Sequence, residues 1–152
     1  MSVRLSSDEA WAVVAASHTG ILTSLRRDGV PIALPIWFVV LDRRIYVSGP
    51  ATAKRVARVR HDPRVSFLVE SGKRWAELRA VHLTGRARVV TEPDVLARVA
   101  AALDTKYAPF RTQRTAMPEA TRAHYDVKFA TIEVTPDEHI LTWDNARLRL
   151  RR

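Results

Sequence analysis

The longest uninterrupted apolar stretch of the chain, Val30 to Leu41 (VPIALPIWFVVL), constrains the fold more than any other feature. It falls short of the roughly 20 apolar residues that cross a membrane, and it predicts a strand that is covered on both faces. Pro31 and Pro35 cannot donate to a β-ladder, which predicts bulges or an unpaired edge in this strand. Gly20 to Leu25 precedes it, and the Arg27-Asp28-Gly29 turn joins the two into a predicted hairpin.

Further short strands follow at hairpin spacing, with helices between some of them. Strands are predicted at Arg44–Ser48, Val65–Glu70, Ala80–Val90, Val127–Val134 and Ile140–Trp143. A capping box at Ser6 and Glu9 predicts a helix that runs to Ala16, and Thr52 is the predicted N-cap of a helix at Ala53–Arg60. Two more helices are predicted, from Pro93 to Leu103 and at Glu119–Tyr125, with a loop at Lys106–Pro118. This order differs from a βαβ pattern. It predicts one mainly β domain, residues 1–152, built as an antiparallel barrel with peripheral helices.

The composition is typical of a folded, single-domain protein. The chain has 152 residues, of which 47% are hydrophobic and 27% charged, which excludes the disordered and collagen-like classes. It has no cysteine, which excludes disulfides, thiolate zinc sites and a thiol nucleophile. The N-terminal residues lack the apolar stretch of a signal peptide, because Asp8 and Glu9 interrupt it. A cytoplasmic protein is therefore expected.

The net positive charge is confined to one segment. The formal net charge is +9, and between Arg43 and Arg88 twelve basic residues stand against three acidic ones, so that the rest of the chain is neutral. Such a segment indicates an anionic partner, which is a nucleic acid, an anionic lipid or a phosphorylated small molecule. Nucleic-acid binding rests on charge alone, because no helix-turn-helix, finger or RNP-type motif accompanies it. We expect neither a nucleic acid nor a membrane as partner.

Most catalytic and metal-binding motifs are absent from the sequence. The five histidines have no metal-ligand spacing, and no GxSxG elbow is present, so no metal is expected. The exception is Thr52-Ala53-Lys54, at the start of a predicted helix that follows a strand ending in Ser48-Gly49. Backbone N–H groups at a helix N-terminus, a hydroxyl and an ammonium group together form a phosphate cradle.

The order of the short motifs resembles a known family. The segments are HTGILTSL from His18, DGVP from Asp28, PIWF from Pro35, YVS from Tyr46, TAK from Thr52, DPRVS from Asp62 and GRA from Gly85. Over residues 8 to 90 the chain resembles the pyridoxamine 5′-phosphate oxidase-like split β-barrel superfamily, and within it the flavin/deazaflavin-dependent oxidoreductases. The resemblance implies a six-stranded antiparallel split β-barrel, the FMN-binding split barrel, and a homodimer with two cofactor clefts between the subunits.

The resemblance also implies which residues bind the cofactor. The phosphate would be held by Thr52, Ala53 and Lys54, with Ser48 on the preceding strand. The ring system would lie along the second strand, at Leu34, Pro35, Ile36, Trp37 and Phe38. Arg79 and Ala80 would approach the cofactor from the other subunit, with Trp75 near that cleft.

Departures from the family pattern argue against one substrate. Leu34, Val39 and Ala53 stand where true pyridoxamine phosphate oxidases carry basic residues. The resemblance therefore does not extend to vitamin B6 oxidation. No side chain is identified as catalytic, and His82 and Tyr46 are the candidates for a proton donor.

The cationic face of the predicted helix at Ala53–Arg60 favours one cofactor over another. Lys54, Arg55 and Arg58 share a face of that helix, which suits a cofactor with several negative charges. Coenzyme F-420 has a phosphate and an oligoglutamate tail, whereas FMN has the phosphate alone. We therefore expect F-420-dependent hydride transfer to a small unsaturated or electron-poor substrate. An FMN-dependent reductase and a non-catalytic cofactor, tetrapyrrole or haem-binding protein are the alternatives.

Overall fold

Seven strands and four helices make up the computed structural model of the chain, which describes residues 2–148. The strands are β1 (Gly20–Leu25), β2 (Pro31–Ile36), β3 (Val39–Leu41), β4 (Arg44–Pro50), β5 (Arg64–Ser71), β6 (Arg79–Val89) and β7 (Phe129–Asp144). The helices are α1 (Ser7–Ala16), α2 (Lys54–His61), α3 (Pro93–Tyr107) and α4 (Glu119–Tyr125). Short 3-10 turns lie at Trp75–Glu77, Ala108–Phe110, Arg114–Ala116 and Asn145–Arg147.

The sheet is antiparallel throughout, in the order β2-β1-β5-β6-β7-β4-β3. β2 lies at one edge, as its two prolines require. The hairpin between β1 and β2 turns at Gly29, whose φ of 83° is a conformation that favours glycine. The predicted mainly β, antiparallel architecture with peripheral helices is confirmed.

The predicted strand at Val30–Leu41 is two strands. The sheet has seven strands in all, so the six that the resemblance implied is wrong. The first half of Val30–Leu41, β2, pairs with β1, and its second half, β3, pairs with β4 at the other edge of the sheet. Only Trp37 and Phe38 connect the two edges. Because residues so close in sequence occupy opposite edges, the sheet must curl until those edges come together, which is the split-barrel geometry.

Two other boundaries also differ from the sequence prediction. The closing strands are one continuous strand, β7, and the register shift opposite it between Leu83 and Gly85 accommodates Pro136. Thr52 is not the N-cap of α2. That helix begins at Lys54 with Ala53 as its N-cap, and no side chain caps it.

The barrel interior is filled by alternate residues of the strands. Phe38, Ile45, Phe67 and Leu83 are fully buried there, and the capping box of α1 orients Trp11 and its neighbours onto the same core. A smaller cluster forms under α3, which runs four residues past its predicted end, to Tyr107. Within residues 2–148, no helix is long and apolar enough to cross a membrane.

Candidate functional site

A cavity of about 700 Å³ lies between α2 and the edge strand β2, and we call it the cation groove. Its lining comprises Arg26, Arg27, Ile32, Leu34, Ala53, Lys54, Arg55, Ala57 and Arg58. A small recess continues it along β2 past Pro35 and Ile36. The amphipathic sequence of α2 explains the arrangement. Val56 and Val59 are buried in the barrel wall, and the basic residues Lys54, Arg55 and Arg58 line the groove.

Ser24 on β1 holds the Arg58 side chain in place. The Arg58 Nε donates a hydrogen bond to the Ser24 hydroxyl at 2.8 Å, and Ser24 is 1% exposed. A guanidinium carries further N–H donors on its two terminal nitrogens, and these are left for other partners. The sequence of β1 therefore fixes the direction of Arg58 without neutralising its charge.

Most cations of the groove have no carboxylate partner in the described part of the chain. Within residues 2–148, no carboxylate lies at ion-pair distance from Arg27, Lys54, Arg55 or Arg58, whereas Arg26 pairs with Asp28 at 2.7 Å. Burial lowers the pKa of the Arg55 guanidinium, and the positive charge of Arg58 lowers it further. The groove thus holds several cations whose natural counter-charge is a ligand.

Beside these cations the groove has an apolar wall. Leu34 on β2 is 52% exposed, and Ile32 and Ile36 on the same strand are half-buried. An exposed apolar strand next to fixed cations suits a ligand with a flat apolar part and an anionic part.

A second cavity, of about 630 Å³, adjoins the cation groove. Arg55 and Ala53 line both cavities. The other lining residues are Trp37, Ser48, Gly49, Pro50, Phe110, Arg111, Thr112, Arg114, Met117, His124 and Tyr125. β4 and the segment 108–125 therefore enclose it together.

An aromatic cluster supports one side of the second cavity. Trp37 stacks on Tyr107 with the ring centroids 4.4 Å apart, and His18 contacts Trp37, Tyr107 and Phe110 edge to face. The buried Tyr107 hydroxyl accepts the Phe38 N–H at 2.8 Å and donates to the His18 carbonyl at 2.7 Å. These bonds and contacts fix the Trp37 indole at the cavity wall.

Lys106 stabilises the connection that Trp37 and Phe38 make between the two edges of the sheet. Its Nζ donates to the Phe38 carbonyl at 3.0 Å and lies 3.9 Å from the centroid of the Phe38 ring. Burial lowers the pKa of Lys106 to about 8. The geometry around Phe38 is therefore fixed by two adjacent residues at the end of α3.

Comparison with protein families identifies the fold. Residues 6–142 match the sequence profile described as pyridoxamine 5′-phosphate oxidase. The chain belongs to this family. Comparison with curated protein sequences gives no significant match.

Solved structures of the same fold include proteins whose names state that they bind different groups. The conserved hypothetical protein Rv2991 from Mycobacterium tuberculosis is 29% identical, with a TM-score of 0.81 over 99% of this chain and 91% of its own. A FAD-binding protein from Mesorhizobium loti is 20% identical, with a TM-score of 0.68 over 93% of this chain and 97% of its own. A heme binding protein from Mycobacterium smegmatis is 21% identical, with a TM-score of 0.69 over 95% of this chain and 60% of its own. The last two likenesses show a shared fold.

The structure brings together most of the site residues predicted from the sequence. Leu34, Pro35, Ile36, Ala53, Lys54 and Arg58 line the cation groove or its recess, and Trp37, Ser48 and again Ala53 line the second cavity. The family motifs thus converge on two adjoining cavities.

Other predicted residues lie outside both cavities. The Phe38 side chain is fully buried against Phe67, and Thr52 is exposed without capping α2. Trp75, Arg79 and Ala80 lie around the start of β6, where Arg79 and Ala80 pair with the end of β7.

Neither candidate proton donor lines the cation groove or the second cavity. Tyr46 is buried and donates to Glu133 at 2.7 Å, and His82 is half-buried in the middle of the sheet, between Leu68 and Leu141. In the described part of the chain, no three His, Asp or Glu side chains cluster as a metal site.

Sequence reasoning missed the whole contribution of the segment 108–125. Phe110, Met117, His124 and Tyr125 line the second cavity, although the sequence there has no strong periodicity and matches the family only weakly. The role of Arg55 as the shared wall was also missed, because helical periodicity places it on the basic face of α2 without showing what that face meets.

Proposed function

We propose that this protein is a homodimeric oxidoreductase that binds coenzyme F-420 in the cation groove. The observation that carries the proposal is the concentration of Arg27, Lys54 and Arg58, without carboxylate partners in the described chain, beside an exposed apolar strand. A phosphate with an oligoglutamate tail has the anionic groups that these cations lack, and a flat ring system matches the strand.

The donor set of the groove fits this cofactor chemically. Lys54 is an exposed ammonium suited to a phosphate as a point charge, and Arg58 has its donors oriented by Ser24. Arg27, on the hairpin turn, adds a further cation for a long anionic tail. FMN, with one phosphate, would leave several of these charges uncompensated.

The family fold supports redox chemistry on a bound cofactor, and the protein supplies position and environment. When bound, reduced F-420 supplies a hydride, which with a proton from solvent reduces an unsaturated or electron-poor substrate. Leu34 and Ile36 would contact the ring and exclude water from one of its faces, and Trp37 would close the end nearest the second cavity. Vitamin B6 oxidation is not proposed, because Leu34, Val39 and Ala53 replace the family's basic residues.

A homodimer is part of the proposal. Four large apolar side chains at the β6–β7 end of the sheet are exposed, namely Trp75, Leu78, Leu141 and Trp143. Arg79 and Ala80 lie directly beside them. A second copy that covers this surface would place those residues at its interface, which supports the expectation that they approach the other subunit's cofactor.

Haem binding is the second candidate function. One solved structure of this fold is named a heme binding protein. In this chain, His124 lines the second cavity together with apolar side chains, and its imidazole could ligate iron there. The absorption spectrum distinguishes this function from flavin-type chemistry.

Titration of the purified protein with F-420, FMN and haemin, followed by fluorescence and absorbance, tests the proposal. We expect F-420 to bind at least about tenfold more tightly than FMN, because the additional carboxylates meet the unpaired cations. Binding should weaken as salt is raised. FMN binding without F-420 binding would reject the cofactor assignment, and a Soret shift with haemin alone would favour the second candidate.

Hydride transfer is then measured separately with an enzymatically reduced F-420 stock and a panel of unsaturated acceptors. Oxidation of the cofactor above the rate without protein is the expected result. F-420 binding without turnover across the panel would indicate a cofactor carrier and would overturn the enzymatic part of the proposal.

A further inference from the structure

The segment 108–125 contributes to the second cavity but not to the hydrophobic core. None of its residues is buried, and Phe110 and Tyr125 are 59% and 46% exposed. It makes two exposed ion pairs, Arg111 with Asp104 and Arg114 with Asp126. Because its apolar side chains line the cavity without entering the core, they are available to contact a ligand.

Among the described residues that line this cavity, a single arginine is left without a carboxylate partner. Three arginines line it, and two of them, Arg111 and Arg114, are neutralised by the aspartates just named. Arg55 has no carboxylate partner within residues 2–148, and burial lowers its pKa. A half-buried guanidinium among aromatic side chains is a specific site for one carboxylate, which it can bind in bidentate fashion.

Gly49 determines where this guanidinium lies. A Cβ added at Gly49 would collide with the Arg55 Nη2, so only a residue without a side chain lets the guanidinium lie against β4. From that position Arg55 faces both cavities. The buried Gly49 is thus part of the same site.

We propose that the second cavity is the substrate subsite, that it takes planar unsaturated monocarboxylates, and that Arg55 binds the carboxylate. Trp37, Phe110 and Tyr125 would contact the flat apolar body of such a ligand. The assignment of this ligand as a substrate rests on the proposed oxidoreductase function. The assignment of its chemical class rests on the cavity alone.

The test uses cinnamate as a probe and cinnamamide as its neutral analogue of the same shape. Calorimetric titration is carried out on cofactor-free protein and again after saturation with F-420. We expect cinnamate to bind at least about tenfold more tightly than cinnamamide, because charge-assisted hydrogen bonds to a guanidinium are lost with the amide.

Three variants assign that difference to Arg55. Arg55→Met should lower the affinity for cinnamate to that for cinnamamide and leave the amide affinity unchanged. Gly49→Ala, which displaces the guanidinium without removing it, should weaken cinnamate binding in the same direction. Arg60→Met is the matched control, because it removes an exposed cation of the same helix outside both cavities, and cinnamate affinity should stay within about twofold.

Equal binding of cinnamate and cinnamamide, absence of cinnamate binding in both forms of the protein, or unchanged affinity in Arg55→Met would each overturn the inference. Protein that binds F-420 but not cinnamate would retain the proposed function and lose this subsite. Protein that binds cinnamate through Arg55 but neither F-420 nor FMN would retain the ligand class and lose the redox function.

Discussion

Arg58 in the cation groove and Arg88 on β6 both direct a guanidinium at a buried oxygen. Arg58 donates to the Ser24 hydroxyl, a neutral group. Arg88 donates to the Glu133 carboxylate at 2.9 Å, and Glu133 is 4% exposed. The first interaction orients a charge and leaves it available, whereas the second orients a charge and cancels it.

This difference separates a binding residue from a structural one. Glu133 also accepts from the Tyr46 hydroxyl, and Arg88 also donates to Glu92, so these four residues form a closed group that we call the Glu133 network. Burial disfavours ionisation of Glu133, but the hydrogen bonds from Arg88 and Tyr46 outweigh it and hold its pKa below the usual value. Within residues 2–148, Lys54 and Arg58 in the cation groove have no such counter-charge, which is why we assign the groove a ligand.

The largest expected effect comes from breaking the Glu133 network. Glu133→Ala should lower the free energy of unfolding by about 3 kcal/mol, because it leaves the buried Tyr46 hydroxyl without its acceptor and Arg88 with Glu92 alone. Urea unfolding measures this loss. Glu92→Ala is the control, since it removes the more exposed carboxylate that pairs with the same arginine, and it should lower stability much less.

The same network predicts a loss of stability in acid. A carboxyl whose folded pKa is depressed contributes stability above its unfolded pKa, and that contribution is lost as the pH falls through the folded value. The wild type should therefore lose stability below about pH 4.5 more steeply than Glu133→Ala. Parallel curves for the two proteins would show that Glu133 is not linked to folding.

A smaller effect, on binding instead of stability, is expected in the cation groove. Lys54→Ala should weaken F-420 binding by about tenfold, or about 1.4 kcal/mol, and leave the free energy of unfolding within about 0.5 kcal/mol of the wild type. Arg88→Met should do the reverse, lowering stability while F-420 affinity stays unchanged. Fluorescence titration and urea unfolding of both variants measure the contrast, and unchanged affinity in Lys54→Ala would place the phosphate elsewhere.

Lys106 separates the effect of an unpaired charge from that of a binding site. It has no carboxylate partner in the described chain, and it lies in neither cavity. Its pKa is lowered to about 8 in the folded state, so between pH 8 and pH 10 the unfolded chain binds more protons and stability should rise with pH. The expected gain is roughly 1 kcal/mol, reduced by solvent screening of a half-exposed group. Above pH 10 the raised pKa values of Tyr46 and Tyr107 oppose this gain.

Stability measured by thermal unfolding across this pH window tests the assignment. Lys106→Met removes the titrating group and should abolish the rise. A rise of the same size in the variant would assign it to another group.

Local signals in the sequence were sufficient for most of the fold. The capping box at Ser6, the turn at Gly29 and the alternation along β6 each depend on neighbouring residues, and each prediction was confirmed. The division of Val30–Leu41 into β2 and β3 could not be predicted this way, because both halves are equally apolar. Their assignment to opposite edges depends on pairing with β1 and β4.

The candidate site was predictable only in part, for the same reason. The basic face of α2 follows from helical periodicity, and the structure places that face in a groove. The aromatic wall formed by Phe110 and Tyr125 depends on how a weakly patterned segment folds back over β4, which no local signal encodes.

The separation of the segment 108–125 from the core has a consequence for how this protein can diversify. Changes in that segment remove no core contact, because none of its residues is buried, and they alter the wall of the second cavity directly. By contrast, Trp37 and Phe38 join the two sheet edges and are fixed by Tyr107, so an insertion there would disturb the barrel itself. New ligand preferences can thus arise by exchanging one exposed segment while the barrel and its cationic helix stay the same.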